Sequence, residues 1–121
     1  MESRPDAGSS CTLDERRIDG ISVVGVAGVV DMLTAPDLEK AIAEAAKSSP
    51  TAVVVDMTGV EFLASAGMGV LIAAQDELAP AVRFAVVAEG PATSRPLKLV
   101  GVTDVIDLYP TLDEALTALR S

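Results

Sequence analysis

Apolar positions along the chain alternate between a period of two and a period of about 3.6. Residues 11–17 mix apolar and charged positions, as an edge strand does with Arg and Glu turned outward. Asp19-Gly20 is a tight-turn dipeptide of the hairpin kind. Residues 21–30 follow, apolar on both alternating faces: Ile21, Val23, Ala27 and Val29 on one, Val24, Val26 and Val30 on the other. A strand of that kind is central and covered twice. Asp31-Met32-Leu33 is a loop. Thr34 then caps a helix, with Asp37 as its capping-box partner and Pro36 in the first turn. Leu38, Ala41, Ile42 and Ala45 recur at helical spacing, Lys40 and Glu44 sit one turn apart on the wet side, and Ser48-Ser49-Pro50 ends the helix.

The second half repeats the alternation. Residues 52–55 are an apolar run closed by Asp56, and residues 57–63 read as a short connector. Ser65 stands at the start of a second helix with Gly67 and Gly69 in its first turns. Met68, Leu71, Ile72, Gln75 and Leu78 give that helix its stripe, and Pro80 stops it. Residues 82–88 form a strand, Glu89-Gly90-Pro91 a turn, and a short helix runs from Thr93 or Ser94 to Val100, closed by Gly101. Residues 105–108 are a short last strand. Thr111 and Glu114 box the start of a final helix carrying Leu112, Ala115, Leu116 and Leu119. The order β-β-α-β-α-β-α-β-α predicts an α/β fold with a mixed five-stranded sheet. Right-handed crossovers join its parallel strands, and the first strand is antiparallel at the edge. Residues 1–10, polar and holding Pro5 and Gly8, are expected to form a loose tail ahead of one domain over residues 11–121.

Composition narrows the function. The core must be aliphatic, since Tyr109, Phe62 and Phe84 are the only aromatic residues. Eighteen acidic residues against nine basic give a net charge of −9, which disfavours nucleic acid and anionic membrane as partners. One cysteine, Cys11, permits no internal disulfide, and residues 1–10 hold no apolar core of a signal peptide. No apolar run approaches the ~20 residues of a membrane span. The expected location is the cytoplasm. Histidine is absent, so a Ser-His-Asp triad, a Cys-His pair and a His-ligated metal site cannot be built. The chain is therefore expected to be no enzyme and to need no cofactor or metal.

Ser65 admits three readings: a hydroxyl that completes a helix start, a phosphorylation site, or a nucleophile, the last disfavoured because the chain has no histidine to act as its base. A phosphate there would meet unpaired N–H groups and the positive end of the helix. Ala64, Ala66 and Gly67 are small enough to let another protein approach. Gly67 and Gly69 each cost the helix about 1 kcal/mol relative to alanine, which points to close packing or close approach. Asp31 and Asp56 are placed by the pattern at the carboxyl ends of parallel strands, on the same edge as Ser65. Met32 and Leu33 either tuck under the helix ends or form an apolar docking patch with Ala64, Ala66 and Met68.

Three stretches carry a resemblance over residues 21–119. Gly28-Val29-Val30-Asp31-Met32-Leu33-Thr34-Ala35 is similar to the Gly-x-x-Asp-x-x-Thr-Ala loop of the anti-sigma factor antagonists, the stand-alone STAS domain proteins. Residues 53–69 resemble that family's strand, Asp, and Phe-x-x-Ser-x-Gly-x-Gly segment, and residues 99–116 its closing helix-strand-helix. The resemblance implies a bacterial regulator of transcription that binds an anti-sigma factor, a serine kinase, and so frees a sigma factor. It implies that Ser65 is the phosphorylated switch. Asp31, Met32, Leu33, Thr34, Ala64, Ala66, Gly67 and Met68 would form the partner-binding edge, with Asp56 and Gly69 supporting it. Where many members carry Asp-Ser-Ser-Gly, this chain has Ala64-Ser65-Ala66-Gly67, which leaves Ser65 the single hydroxyl of the motif. A monomer or weak homodimer is expected. The alternative is a STAS interaction module in another regulatory assembly, without a phosphoswitch.

Overall fold

A computed structural model describes residues 11–120; the expected tail lies outside them. Strand β1 (Cys11–Ile18) turns through Asp19 and Gly20, whose φ angles of 52° and 82° match a turn with both central residues left-handed. It pairs antiparallel with β2 (Ile21–Val30). Helix α1 (Ala35–Lys47), β3 (Ala52–Leu63), α2 (Ser65–Leu78), β4 (Arg83–Val87), α3 (Ser94–Leu99), a 3₁₀ turn (Val102–Asp104), β5 (Asp107–Tyr109) and α4 (Leu112–Arg120) follow. Strands lie in sequence order, β1-β2-β3-β4-β5, and every pairing after the first is parallel.

That order decides where the helices go. Each crossover from β2 to β5 steps in the same direction, so a right-handed connection puts its helix on the same face every time. Leu38 and Ile42 of α1, Leu71 and Ala74 of α2 and Leu97 of α3 accordingly share one core with Val24, Val26, Val53, Val55 and Val86. Among the described residues only α4 covers the other face, through Ala115, Leu116 and Leu119 against Ile21, Val23, Val54 and Val87. No helix among the described residues is long and apolar enough to cross a membrane.

The elements agree with the pattern except in five places. The last strand, expected over residues 105–108, starts two residues later and runs Asp107–Tyr109, since Val105 closes the 3₁₀ turn. The connector expected over residues 57–63 is strand: β3 runs on to Leu63 and stays paired with β2. It does so through two register shifts, between Gly25 and Ala27 and between Gly28 and Val29, each placing an extra residue in β3. Gly59 permits the first, since a Cβ there would meet Ala27 Cβ at 3.0 Å. The buried face of α2 is Gly67, Leu71 and Ala74, and Ile72 is 44% exposed. Thr34 makes no side-chain cap bond to α1. Glu44 pairs with Lys47 at 3.1 Å, not Lys40.

Candidate functional site

The β2 and β3 strands end side by side, with Val30 opposite Leu63, and the Ala64 N–H donates to the Val30 carbonyl at 2.8 Å. This joins the loop after β2 to the start of α2. The loop is held by its own side chains. Asp31 Oδ1 accepts from the N–H of Leu33 at 3.0 Å and of Thr34 at 3.1 Å. Thr34, 2% exposed, accepts from the Asp31 N–H at 2.9 Å and donates to the Val29 carbonyl at 3.0 Å. The Thr34 hydroxyl is thus turned back into the loop, which is why the expected box with Asp37 does not form.

Two short side chains bent inward leave the tip facing water. Met32 is 76% exposed and Leu33 72%, so they do not tuck under the helix ends. Removing the Asp31 carboxylate should release the tip. Asp31→Ala is expected to cost about 1–2 kcal/mol, and Asp31→Asn, which keeps an acceptor oxygen, much less; urea denaturation of the three proteins checks this.

Ser65 is the first helical residue of α2. The cap position falls to Ala64, extended at φ −86° and ψ 168°, with no side-chain cap bond and no acidic residue in the first turn. Gly67 and Met68 donate to the Ala64 carbonyl, while the N–H groups of Ser65 and Ala66 have no acceptor among the described residues. Ser65 is exposed and its hydroxyl bonds to no described group. The positive end of the helix is therefore open to an anion.

The remaining expected residues divide. Ala64, Ala66 and Met68 are part-exposed beside Ser65, whereas Gly67 is buried. A Cβ on Gly67 would stand 2.6 Å from Val30 Cγ1 and 2.7 Å from Leu63 Cδ1, so this glycine lets α2 lie close on the strand ends. Gly67 and Thr34 position the edge and offer a partner no side-chain surface. Asp56 is not at the edge at all. It pairs with Gly25, five positions before the end of β2, or about 17 Å along the strand. Its carboxylate accepts from the Thr58 N–H and hydroxyl at 3.0 and 2.9 Å, on the first bulge. The expectation of a shared edge failed because it took β3 to end at residue 56.

Two exposed residues at this edge escape the sequence pattern. Phe62 is 55% exposed and Leu99 78%, and they line a groove of about 570 Å³ with Leu63, Pro91, Arg95 and Pro96. The available signal was Phe62 itself, a lone aromatic next to Leu63: neighbours in a strand face opposite ways, and one must lie uncovered where β4 has ended. Ser65 thus stands between two apolar patches, Met32 with Leu33 and Phe62 with Leu99. Cys11, half-buried where β1 meets α1, has its thiol pKa pushed up by burial, then by the carboxylates of Asp37 and Asp31.

Residues 12–115 match the STAS domain. The chain belongs to the STAS domain family. It is 40% identical over 118 residues to the anti-sigma-F factor antagonist RsfB of Mycobacterium tuberculosis, an alignment spanning 98% of this chain and 94% of RsfB. A solved anti-sigma factor antagonist from Mycobacterium paratuberculosis is 48% identical and superposes with a TM-score of 0.90 over 97% of this chain and 100% of that one. Within the STAS family the chain therefore groups with the anti-sigma factor antagonists, which are non-enzymatic regulators. SpoIIAA in its unphosphorylated form shares the fold at 20% identity and a TM-score of 0.69, over 91% of this chain and 99% of its own. The phosphorylated form of the Bacillus SpoIIAA does so at 18% and 0.67, over 89% and 99%.

Proposed function

We propose that this STAS protein binds an anti-sigma factor of the serine-kinase type, so releasing a sigma factor, and that phosphorylation of Ser65 by that partner ends the binding. The observation that carries the reading is the placement of Ser65. It is an exposed, unbonded hydroxyl on the first residue of α2, flanked by exposed apolar side chains. Apolar surface of that kind on a small acidic protein serves association. RsfB, at 40% identity, is by its name an antagonist of an anti-sigma-F factor, which makes such a factor the partner to test first. SpoIIAA supports the switch as a STAS-fold protein that exists in phosphorylated and unphosphorylated forms. In this reading the chain acts in the cytoplasm, as a monomer or weak homodimer.

The chemistry asks little of the substrate. The Ser65 hydroxyl attacks the γ-phosphoryl group of ATP held by the kinase, a base of the kinase takes its proton, the bond from the γ-phosphorus to the bridging oxygen breaks, and ADP leaves. The product phosphate, carrying about −1.5 to −2 charge, lies against the free N–H groups of Ser65 and Ala66. Incubation with the anti-sigma-F factor and ATP, followed by mass spectrometry, tests this. One phosphoryl group on Ser65, absent from Ser65→Ala, is the expected result. No incorporation, or incorporation elsewhere, overturns the switch.

A further inference from the structure

The methionines of the chain differ sharply in access to water. Met57 is fully buried in the core, and Met68 is half-buried near the start of α2. Met32, at the tip of the loop after β2, is 76% exposed. The loop keeps it there. Asp31 Oδ1 accepts from the N–H groups of Leu33 and Thr34, and the Thr34 hydroxyl is spent on Asp31 and Val29, so the backbone on both sides of Met32 is tied down. The nearby thiol is guarded instead. Cys11 is half-buried, and burial, then the carboxylates of Asp37 and Asp31, push its pKa up. That keeps it protonated and slow toward oxidants, since the thiolate is the form that reacts.

Resting on the reading of Ser65 above, we propose that Met32 is an oxidant-sensitive modification site: a hydroperoxide converts its thioether to the sulfoxide, and the oxidised loop binds the anti-sigma factor more weakly. A sulfur lone pair attacks one oxygen of hydrogen peroxide, the O–O bond breaks, and proton transfer releases water. The sulfur loses two electrons and the peroxide gains them. Two thiols reverse the step in a methionine sulfoxide reductase, giving back the thioether with a disulfide and water. Two observations tie this chemistry to binding rather than to damage. First, Met32 is nearly uncovered by its own chain, so a polar oxygen on its sulfur costs the fold little; the same oxygen on Met57 would lie in the core. Second, Val30 lies opposite Leu63 and accepts from the Ala64 N–H, so the loop bearing Met32 and the helix start bearing Ser65 stand on one edge. A partner that covers this edge meets an apolar side chain before oxidation. Afterwards it must cover a strong hydrogen-bond acceptor.

The test follows oxidation and binding separately. The protein is treated with hydrogen peroxide, and the sulfoxide at each methionine is followed by peptide mass spectrometry. Met32 should oxidise ahead of Met68 and about tenfold faster than Met57, which is reached only when the core opens. Protein oxidised at Met32 should melt like the untreated protein. In calorimetric titration with the anti-sigma-F factor it should bind about tenfold more weakly, and a methionine sulfoxide reductase should restore the affinity. Met32→Leu keeps an apolar side chain of similar size, so it should bind as the wild type does and keep its affinity after peroxide. Met57 or Met68 oxidising first overturns the proposal. So does unchanged affinity in the Met32 sulfoxide, or an equal loss in peroxide-treated Met32→Leu. The Ser65-phosphorylated form, run in the same titration, separates the two readings: if it is weakened and the sulfoxide is not, the Ser65 reading stands alone. A wild type that binds no anti-sigma-F factor overturns both.

Discussion

Phosphorylated Ser65 is expected to weaken binding of the anti-sigma factor by well over tenfold, with Ser65→Ala binding as the wild type does. Exposed apolar side chains flank Ser65: Met32 and Leu33 on one side, and on the other Phe62 and Leu99, in a groove that Glu61 and Arg95 also line. A complex that covers them must also dehydrate whatever sits between. An unpaired charge taken into such a contact costs several kcal/mol, and about 1.4 kcal/mol already lowers affinity tenfold. The start of α2 offsets only part of this. With Ala64 as cap and no acid in the first turn, its N–H groups favour an anion by about 0.3–1 kcal/mol. That contact persists when the phosphate is covered, and it is smaller than the cost of dehydrating the charge. Ser65→Glu, with about half the charge, should act in the same direction and less strongly. Calorimetry with purified anti-sigma factor measures all four species. Equal affinity for the wild type and the phosphorylated form would leave Ser65 a helix start and nothing more.

The second large effect is on stability. Leu71→Ala is expected to cost about 2–5 kcal/mol, a large part of what a domain of this size has to lose. Helix α2 buries only Gly67, Leu71 and Ala74, and Leu71, at 0% exposure, is the one large side chain among them. The attachment of the helix that bears Ser65 therefore depends on it. Truncating Ile72 to alanine next door should change stability by no more than about 0.5 kcal/mol. Guanidinium unfolding of both variants gives the comparison, and a loss under about 1 kcal/mol for Leu71→Ala would refute this account of how α2 is anchored.

The contrast between Leu71 and Ile72 marks where periodicity stops being informative. Both are apolar, and a stripe drawn through Met68, Leu71, Ile72, Gln75 and Leu78 is a fair helical pattern. In a segment apolar nearly all round, the pattern cannot tell a face turned to the sheet from one turned outward. Gly67, which looks like a weakness in the helix, marks the buried face because the helix comes closest there. Thr34 and Asp37 fit a capping box by spacing, but a hydroxyl has few bonds to give, and the loop carbonyl of Val29 and the N–H of Asp31 take it first.

Local chemistry in the chain was enough to determine the order of elements, the antiparallel first hairpin, the parallel remainder, and Ser65 at the head of α2 beside the Asp31 loop. Each follows from short-range rules: alternation, turn residues at Asp19-Gly20, and crossover handedness. Tertiary structure alone decided that β3 continues to Leu63, because pairing with β2 across two bulges supplies backbone partners to residues that look like a connector. That continuation carries Asp56 away from Ser65 and leaves Phe62 beyond the end of β4. It also decided that Met32 and Leu33 face water, since Asp31 and Thr34 spend their polar atoms inside the loop. A linear sequence states which residues are apolar. Which of them stay uncovered depends on where neighbouring strands end, and that is set only when the sheet assembles.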